Sequence, residues 1–347
     1  MVVNINPGLT VSVERLTEAD LAGCVFLWAD CCGGAGKLPY EPLTEADLAS
    51  KFLHAGPGAG LVSLVARVVS GQASDGEVVG FASGSCKLDG PQGYITIILV
   101  RDGYRRQGLG SLLLRQLEEQ LRTASDGRIK QFEVMFFNPV TLNWIVPGTD
   151  HHDHPNSPGV DVACDGYLFL KNFGYRDIAC QNSFYLPLAD YVFPADIQKR
   201  IEQLASQDIH ITHYDPARHD GLNALFDDLG NEPWREIVIA NCNPGGKGDP
   251  LIIVEHGNRV CGFTGPISVQ PSGRGYFAGI GVHSAYRNRG AGKALFSVLC
   301  MELKGIGARF MTLFTGETNP ARNIYEAAGF KIVKIWADMR KEIKTDI

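Results

Sequence analysis

One short motif occurs twice in this chain, a domain's length apart. Tyr104-Arg-Arg-Gln-Gly-Leu-Gly110 returns as Tyr286-Arg-Asn-Arg-Gly-Ala-Gly292. In each copy an apolar, strand-like run leads into the motif and a stretch with helical spacing follows it. A glycine-rich turn that opens a helix leaves backbone N–H groups without partners. Together with the helix dipole, those groups favour a phosphate. The 347-residue length suits about two domains. The chain therefore reads as a duplication with a phosphate-holding turn in each half.

The halves repeat beyond the motif. Val11-Ser-Val-Glu-Arg predicts a strand, followed by a helix capped near Thr17. Ile209-His-Ile-Thr-His predicts the second entry strand, with Asp215 as cap and Pro216 at the first helical position. Hairpins are expected at Leu61–Val69 with Glu77–Cys86 around the turn Ser70–Gly76, and at Leu251–Glu255 with Val260–Thr264 around His256-Gly-Asn-Arg. Strands 94–100 and 276–282 then enter the motifs. The following helices carry Leu109, Leu112, Leu113, Leu117 and Leu121, and Ala291, Ala294, Leu295, Val298 and Leu299, along one face. A strand follows each helix, at Phe132–Phe137 and Phe310–Phe314. Each half closes on Gly-aromatic, at Gly174-Tyr175 and Gly329-Phe330. This order predicts two α/β domains with mixed sheets, at 1–190 and 205–347, joined by a linker near 188–206. Residues 138–165, rich in Pro, Gly and His, have no second-half counterpart.

Composition excludes several classes. A net charge of −6 argues against a nucleic-acid surface. No apolar run reaches the length of a membrane span. Nine cysteines, without CxxC spacing and mostly in apolar runs such as those of Cys24, Cys261 and Cys300, fit a reducing, cytoplasmic setting without disulfides. His151-His-Asp-His154 offers three imidazoles but no further ligand spacing, so no metal is expected. Neither a Walker motif nor a dinucleotide Gly-x-Gly-x-x-Gly after a strand is present.

Arg105-Arg-Gln-Gly-Leu-Gly and Arg287-Asn-Arg-Gly-Ala-Gly resemble the acyl-CoA-binding motif of the GCN5-related N-acetyltransferases. Asn319-Pro-Ala-Arg-Asn-Ile-Tyr-Glu-Ala-Ala-Gly-Phe330 is similar to that family's closing segment. The resemblance spans both halves, apart from the linker and 138–165. It implies acetyl-CoA as cosubstrate, an amine acceptor, and a monomer whose paired domains imitate a dimer. The CoA pyrophosphate would rest on Arg105, Arg106, Gln107, Gly108, Leu109, Gly110 and Ser111 in the first half. In the second half the counterparts are Arg287, Asn288, Arg289, Gly290, Ala291, Gly292 and Lys293. Val100 and Val282 end the strands that would face the pantetheine arm, and a backbone N–H near Val282 would polarise the thioester carbonyl. Asn319 and Tyr325 complete the implied second site.

Amine attack on a thioester needs a proton source for the leaving thiolate and a proton sink for the ammonium. Tyr325 matches the family's tyrosine acid, and a phenol is protonated at neutral pH. Glu317 and His283 are the candidate bases. Counting back four from Gly174 reaches Leu170, so the first half lacks the tyrosine. The reading is an N-acetyltransferase with a catalytic second domain and a non-catalytic first. The alternative is a duplicated acyl-CoA sensor or scaffold with little turnover. Trp28, Tyr40, Trp144 and Trp234 lie in segments where an acceptor pocket is expected, although ordinary packing is the preferred reading of each.

Overall fold

The computed structural model describes residues 2–6, 9–34, 36–54, 59–69, 76–243 and 245–343. They divide into two units, Met1–Gln181 with Lys334–Ile347, and Asn182–Val333.

The first unit opens with antiparallel strands β1 (Val2–Asn6) and β2 (Leu9–Arg15). Thr17 caps the turn into α1 (Leu21–Cys31) as expected; its N–H and hydroxyl donate to the Asp20 carboxylate at 2.9 and 2.7 Å. After α2 (Glu45–Phe52), strands β3 (Ala59–Val68), β4 (Val78–Lys87) and β5 (Gln92–Val100) form an antiparallel meander. Residues 70–75 of the expected turn lie outside the described residues. Helix α3 (Leu109–Ala124) buries Leu109, Leu113, Leu114, Leu117 and Leu121. It returns to β6 (Gln131–Val134), which runs parallel to β5. The expected strand to Phe137 thus ends at Val134, because the chain turns there and the Asn138 N–H donates to the Met135 carbonyl at 3.1 Å.

The sheet has a core on each face. Leu64, Leu113, Leu117 and Leu170 lie in the core with α3, and Leu27, Trp28, Phe52, Phe81 and Leu99 in the core with α1 and α2. Residues 138–165 fold into short strands β7 (Trp144–Ile145), β8 (Asp153–His154) and β9 (Val160–Asp161) before α4 (Asp165–Asn172) and β10 (Arg176–Pro187). Strand β10 leaves the unit at Gln181.

In the second unit the expected linker contains α5 (Ala195–Ala205), whose Ile197 and Leu204 are buried in that unit's core. β11 (Ile209–His213) follows. The expected helix at Asp215-Pro216 does not form. The Asp215 N–H donates to His219 Nδ1 at 2.9 Å, and His219 Nε2 lies 2.8 Å from the buried Glu255 carboxylate. This side-chain anchoring holds a turn, and α6 (Leu222–Leu229) starts only after the left-handed Gly221. Helix α7 (Glu232–Cys242) and strands β12 (Ile252–His256), β13 (Arg259–Thr264) and β14 (Ile280–Val282) follow. The expected strand 276–282 shortens to three residues. Trp234 lies against Gly279, where a Cβ would come within 2.3 Å of the indole, and the Thr264 hydroxyl donates to the Gly279 carbonyl. Helix α8 (Ala291–Gly305), β15 (Phe310–Gly316), α9 (Arg322–Ala327) and β16 (Lys331–Glu342) complete the chain.

The sequence reading puts all of 205–347 in the second domain. In the structure, residues from Lys334 onward fold into the first unit. There Met339–Glu342 pair antiparallel with Gln131–Val134, and Trp336 and Ala337 pair with Asp161 and Val160. Trp336, Ala337 and Met339 are buried, and Trp336 meets Trp144 edge-on at 5.2 Å. Apolar shape, with a row of hydrogen bonds on each side, is what seats this strand. No helix among the described residues is long and apolar enough to cross a membrane.

Candidate active site

The same turn is built twice. Gly108 and Gly290 adopt left-handed φ values of 94° and 85°, and Arg106 and Asn288, two residues earlier, do so at 60° and 64°. Glycine bears the wide positive φ without the strain a Cβ would bring. The first helical bonds run from Leu112 N to Gly108 O and from Ala294 N to Gly290 O. The N–H groups of 109–111 and 291–293 therefore stand ahead of the ladder, at the positive end of each helix.

The motif arginines brace these turns. Arg105 Nε donates to the Val100 carbonyl at 2.9 Å and Arg287 Nε to the Val282 carbonyl at 3.0 Å. Arg105 also meets Asp102 at 2.9 Å, and Arg287 lies 3.8 Å from Asp228. Asp228, on α6, accepts the Ser284 N–H at 2.8 Å and the Ser284 hydroxyl at 2.5 Å. The Ser284 hydrogen bonds, with His283 and Arg287 nearby, hold its carboxyl below the usual range. Arg289 lies over the Tyr286 ring at 5.7 Å. The Arg200 side chain, from α5, covers Gly290, its Cδ 2.8 Å from where a Cβ would stand.

In the second unit β14 is the edge strand of the sheet β11-β12-β13-β14. The His283 N–H donates to the Cys261 carbonyl on β13. Successive residues of a strand alternate the edge they address. The N–H groups of Ile280 and Val282 consequently point away from β13, across the open edge. Gly292 is flanked by Val282 and by Ile324 of α9; a Cβ on it would stand 3.2 Å from the Ile324 side chain and 3.9 Å from that of Val282. The glycine turn, the open strand edge and the residue before Tyr325 thus come together.

Tyr325 is 5% exposed and rings Phe184, Phe296 and Phe277 at 5.6, 5.0 and 6.2 Å. Burial pushes its phenol well above the ordinary tyrosine value, so it stays protonated. Its hydroxyl makes no hydrogen bond among the described residues. Asn319 is exposed, and its Oδ1 accepts the Ala321 N–H at 2.9 Å, which shapes the entry to α9. Glu317 is exposed at the end of β15, and its carbonyl accepts from Arg322. His283 Nδ1 already accepts the Ala285 N–H at 3.2 Å, and its Nε2 lies 3.7 Å from Asp228. With one ring nitrogen engaged as acceptor, the neutral imidazole carries its proton on the other and has no free lone pair for an ammonium proton.

The first unit differs. Gly110 is flanked by Phe169 of α4 and by Val100, and Leu170 is buried where the second unit has Tyr325. β5 and β6 pair through Tyr94 and Glu133 and then part. Just beyond, Asn138 Nδ2 donates to the Ile95 carbonyl at 3.3 Å and to the Thr96 hydroxyl at 3.1 Å. Asn138 is the structural counterpart of Asn319, since its Oδ1 likewise accepts the N–H two residues on, from Val140 at 3.0 Å. The shared Asn-Pro dipeptide was the signal for it, hidden by the insertion that follows. Arg200 and Asp228 carried no motif and were also missed. Of the aromatics weighed for a pocket, Trp28 and Trp144 are fully buried and bonded through Nε1 to the Glu41 and Asn156 carbonyls. Tyr40 and Trp234 are half-buried. Asp153 and His154 are buried on β8, and no metal-holding group of three acidic, His or Cys side chains occurs among the described residues.

Comparison with known proteins agrees with this geometry. Among solved structures the chain is similar to the GCN5-related glucosamine N-acetyltransferase region of a fungal multi-domain GH3 β-N-acetylglucosaminidase, with 18% identity and a TM-score of 0.64. That match covers 97% of this chain but 38% of the other, so the chain spans well under half of the fungal protein. It is similar to a GCN5-related N-acetyltransferase from Sphaerobacter thermophilus, with 16% identity, a TM-score of 0.61 and 97% of each chain covered. A tandem GNAT protein from the clavulanic acid biosynthesis pathway aligns at 17% identity and a TM-score of 0.56, over 97% of this chain and 100% of that one. At these identities the likeness is one of fold. No curated protein matches the sequence. The model of the acetyltransferase (GNAT) family matches twice, at residues 47–144 and 217–330, which together exceed half of the chain. With its two glycine turns and two matched stretches, the chain belongs to the acetyltransferase (GNAT) family, as a tandem of two such domains.

Proposed function

We propose that the second unit transfers an acetyl group from acetyl-CoA to a primary amine by direct attack in a ternary complex. The observation that carries this is the convergence at Gly292 of the Gly290 turn, the Val282 edge and the helix bearing Tyr325. The pyrophosphate of the cosubstrate would rest on the N–H groups of 291–293, near Arg200 and Arg289. The Ile280 and Val282 N–H groups would bind the arm and the thioester oxygen. The neutral amine then attacks the carbonyl carbon, and the C–S bond breaks. Tyr325 gives its proton to the departing sulfur, and bulk solvent restores it. The ammonium proton leaves to Glu317 directly or through water.

The first unit has Leu170 in place of the acid and is read as non-catalytic. A chain with both acids lost would have been a sensor; the intact Tyr325 favours the enzyme. Thiol release from acetyl-CoA, followed across a panel of primary amines, tests the activity. Tyr325→Phe is expected to lower kcat at least tenfold with acetyl-CoA affinity unchanged, because it removes only the proton. Unchanged turnover would remove Tyr325 as the acid.

A further inference from the structure

The two Asn-Pro turns have the same local shape and different reach. In the second unit Asn319 is exposed and bonds within its own turn, leaving the edge of β14 open. In the first unit Asn138 bonds within its turn and also across the gap between β5 and β6, to the Ile95 carbonyl and the Thr96 hydroxyl. Thr96 is the extra residue of a bulge in β5, for Ser83 pairs with Ile97 and Gly84 with Ile95. A bulge turns backbone groups out of the ladder, and here the Asn138 amide takes up the Ile95 carbonyl together with the Thr96 hydroxyl. The insertion and α2 secure the turn, with Asn156 Nδ2 on the Phe136 carbonyl at 3.3 Å and Lys51 Nζ of α2 on the Thr141 carbonyl at 3.0 Å.

We infer that Asn138 is a staple that closes the first unit's ligand gap, so that the chain holds one acyl-CoA, in the second unit, despite carrying two intact glycine motifs. The staple bridges from the β6 side to β5 two residues before Ile98, the counterpart of Ile280, where an entering thioester arm would have to pass. A ligand must break two hydrogen bonds to enter, which weakens binding by at least tenfold. This rests on the proposed acyl-CoA site of the second unit. It also gives the 138–165 segment a task, that of holding the staple.

The test is calorimetric titration of acetyl-CoA into four full-length proteins: wild type, Asn138→Ala, Gly290→Asp, and the double variant. The staple predicts one, two, zero and one site, respectively. Two sites in the wild type, or a folded Asn138→Ala protein that gains none, would overturn it. If Gly290→Asp leaves the wild-type count unchanged, the second-unit reading fails; the staple then stands or falls on whether Asn138→Ala adds a site. Asn138→Asp serves if the alanine variant does not fold. It keeps the oxygen that accepts the Val140 N–H and the Thr96 hydroxyl, and it replaces the donor to the Ile95 carbonyl with a carboxylate oxygen that the carbonyl repels, so it too must add a site.

Discussion

Asp338 shows what a single buried carboxylate does to this fold. It is 2% exposed, one oxygen accepts from Gln181 at 2.8 Å, and the other has no partner. Burial, reinforced by the nearby Glu133 and opposed by the Gln181 bond, pushes its carboxyl up to about 6. The charged form is thus the one that folding disfavours. Below the unfolded value near 4 the group is neutral in both states and costs nothing. As pH rises from about 4 to about 6 the unfolded chain ionises first, and the first unit loses stability. Above about 6 the loss is complete, at about 3 kcal/mol. Asp338→Asn is expected to abolish this decline, raising stability at pH 8 by that amount with little change at pH 4. Urea unfolding at the two pH values checks it, and a parallel shift at both would assign the effect to packing instead. Tyr325 lies at the same scale. Its identity was readable from the Tyr–Gly–Phe spacing, but its seat among three phenylalanines was not, since Phe184, Phe277 and Phe296 are scattered along the chain.

The turn at 286–292 is the element on which the proposed function rests, and Arg287 decides how it is held. The sequence suggests a phosphate clamp, whereas the structure ties the Arg287 Nε to Val282 and places the guanidinium near Asp228. Lysine keeps the charge and loses the planar fork. Arg287→Lys is expected to weaken acetyl-CoA binding about tenfold, because the strand end and the turn come apart; unchanged affinity in the same titration would restore the clamp. Most elements were legible because period-two and period-3.6 patterns are local, as in β3, β4 and α3. Failures came where a side chain from elsewhere decided the backbone. His219 and Glu255 replaced a helix start at Asp215, Trp234 shortened β14, and the Asn138 turn ended β6 early. The left-handed Arg106 had no sequence cue, whereas Asn288 had a weak one, since asparagine tolerates that conformation.

At the scale of the molecule, the tandem arrangement was legible from the repeat, and the destination of β16 was not. Strand pairing over such a sequence distance leaves no periodic trace, and Lys331–Glu342 reads as an ordinary closing strand wherever it goes. Its second half carries Trp336, Ala337 and Met339 into the first unit's core. Large core residues cost about 3–5 kcal/mol each when truncated, against a total of roughly 5–15 for a domain. Trp336→Ala is therefore expected to destabilise the first unit by about 3 kcal/mol. A chain stopped at Val333 should leave residues 1–181 open to limited proteolysis, and protection equal to the full chain would show that the strand is dispensable. The return of β16 also sets a timetable for synthesis. A ribosome that has finished every residue up to Gln181 has not yet supplied the strand that closes the first unit, and must translate the whole second unit before it does. The first unit, begun before the second, is completed only after it, and a stop codon before Lys334 would be felt in the unit made first.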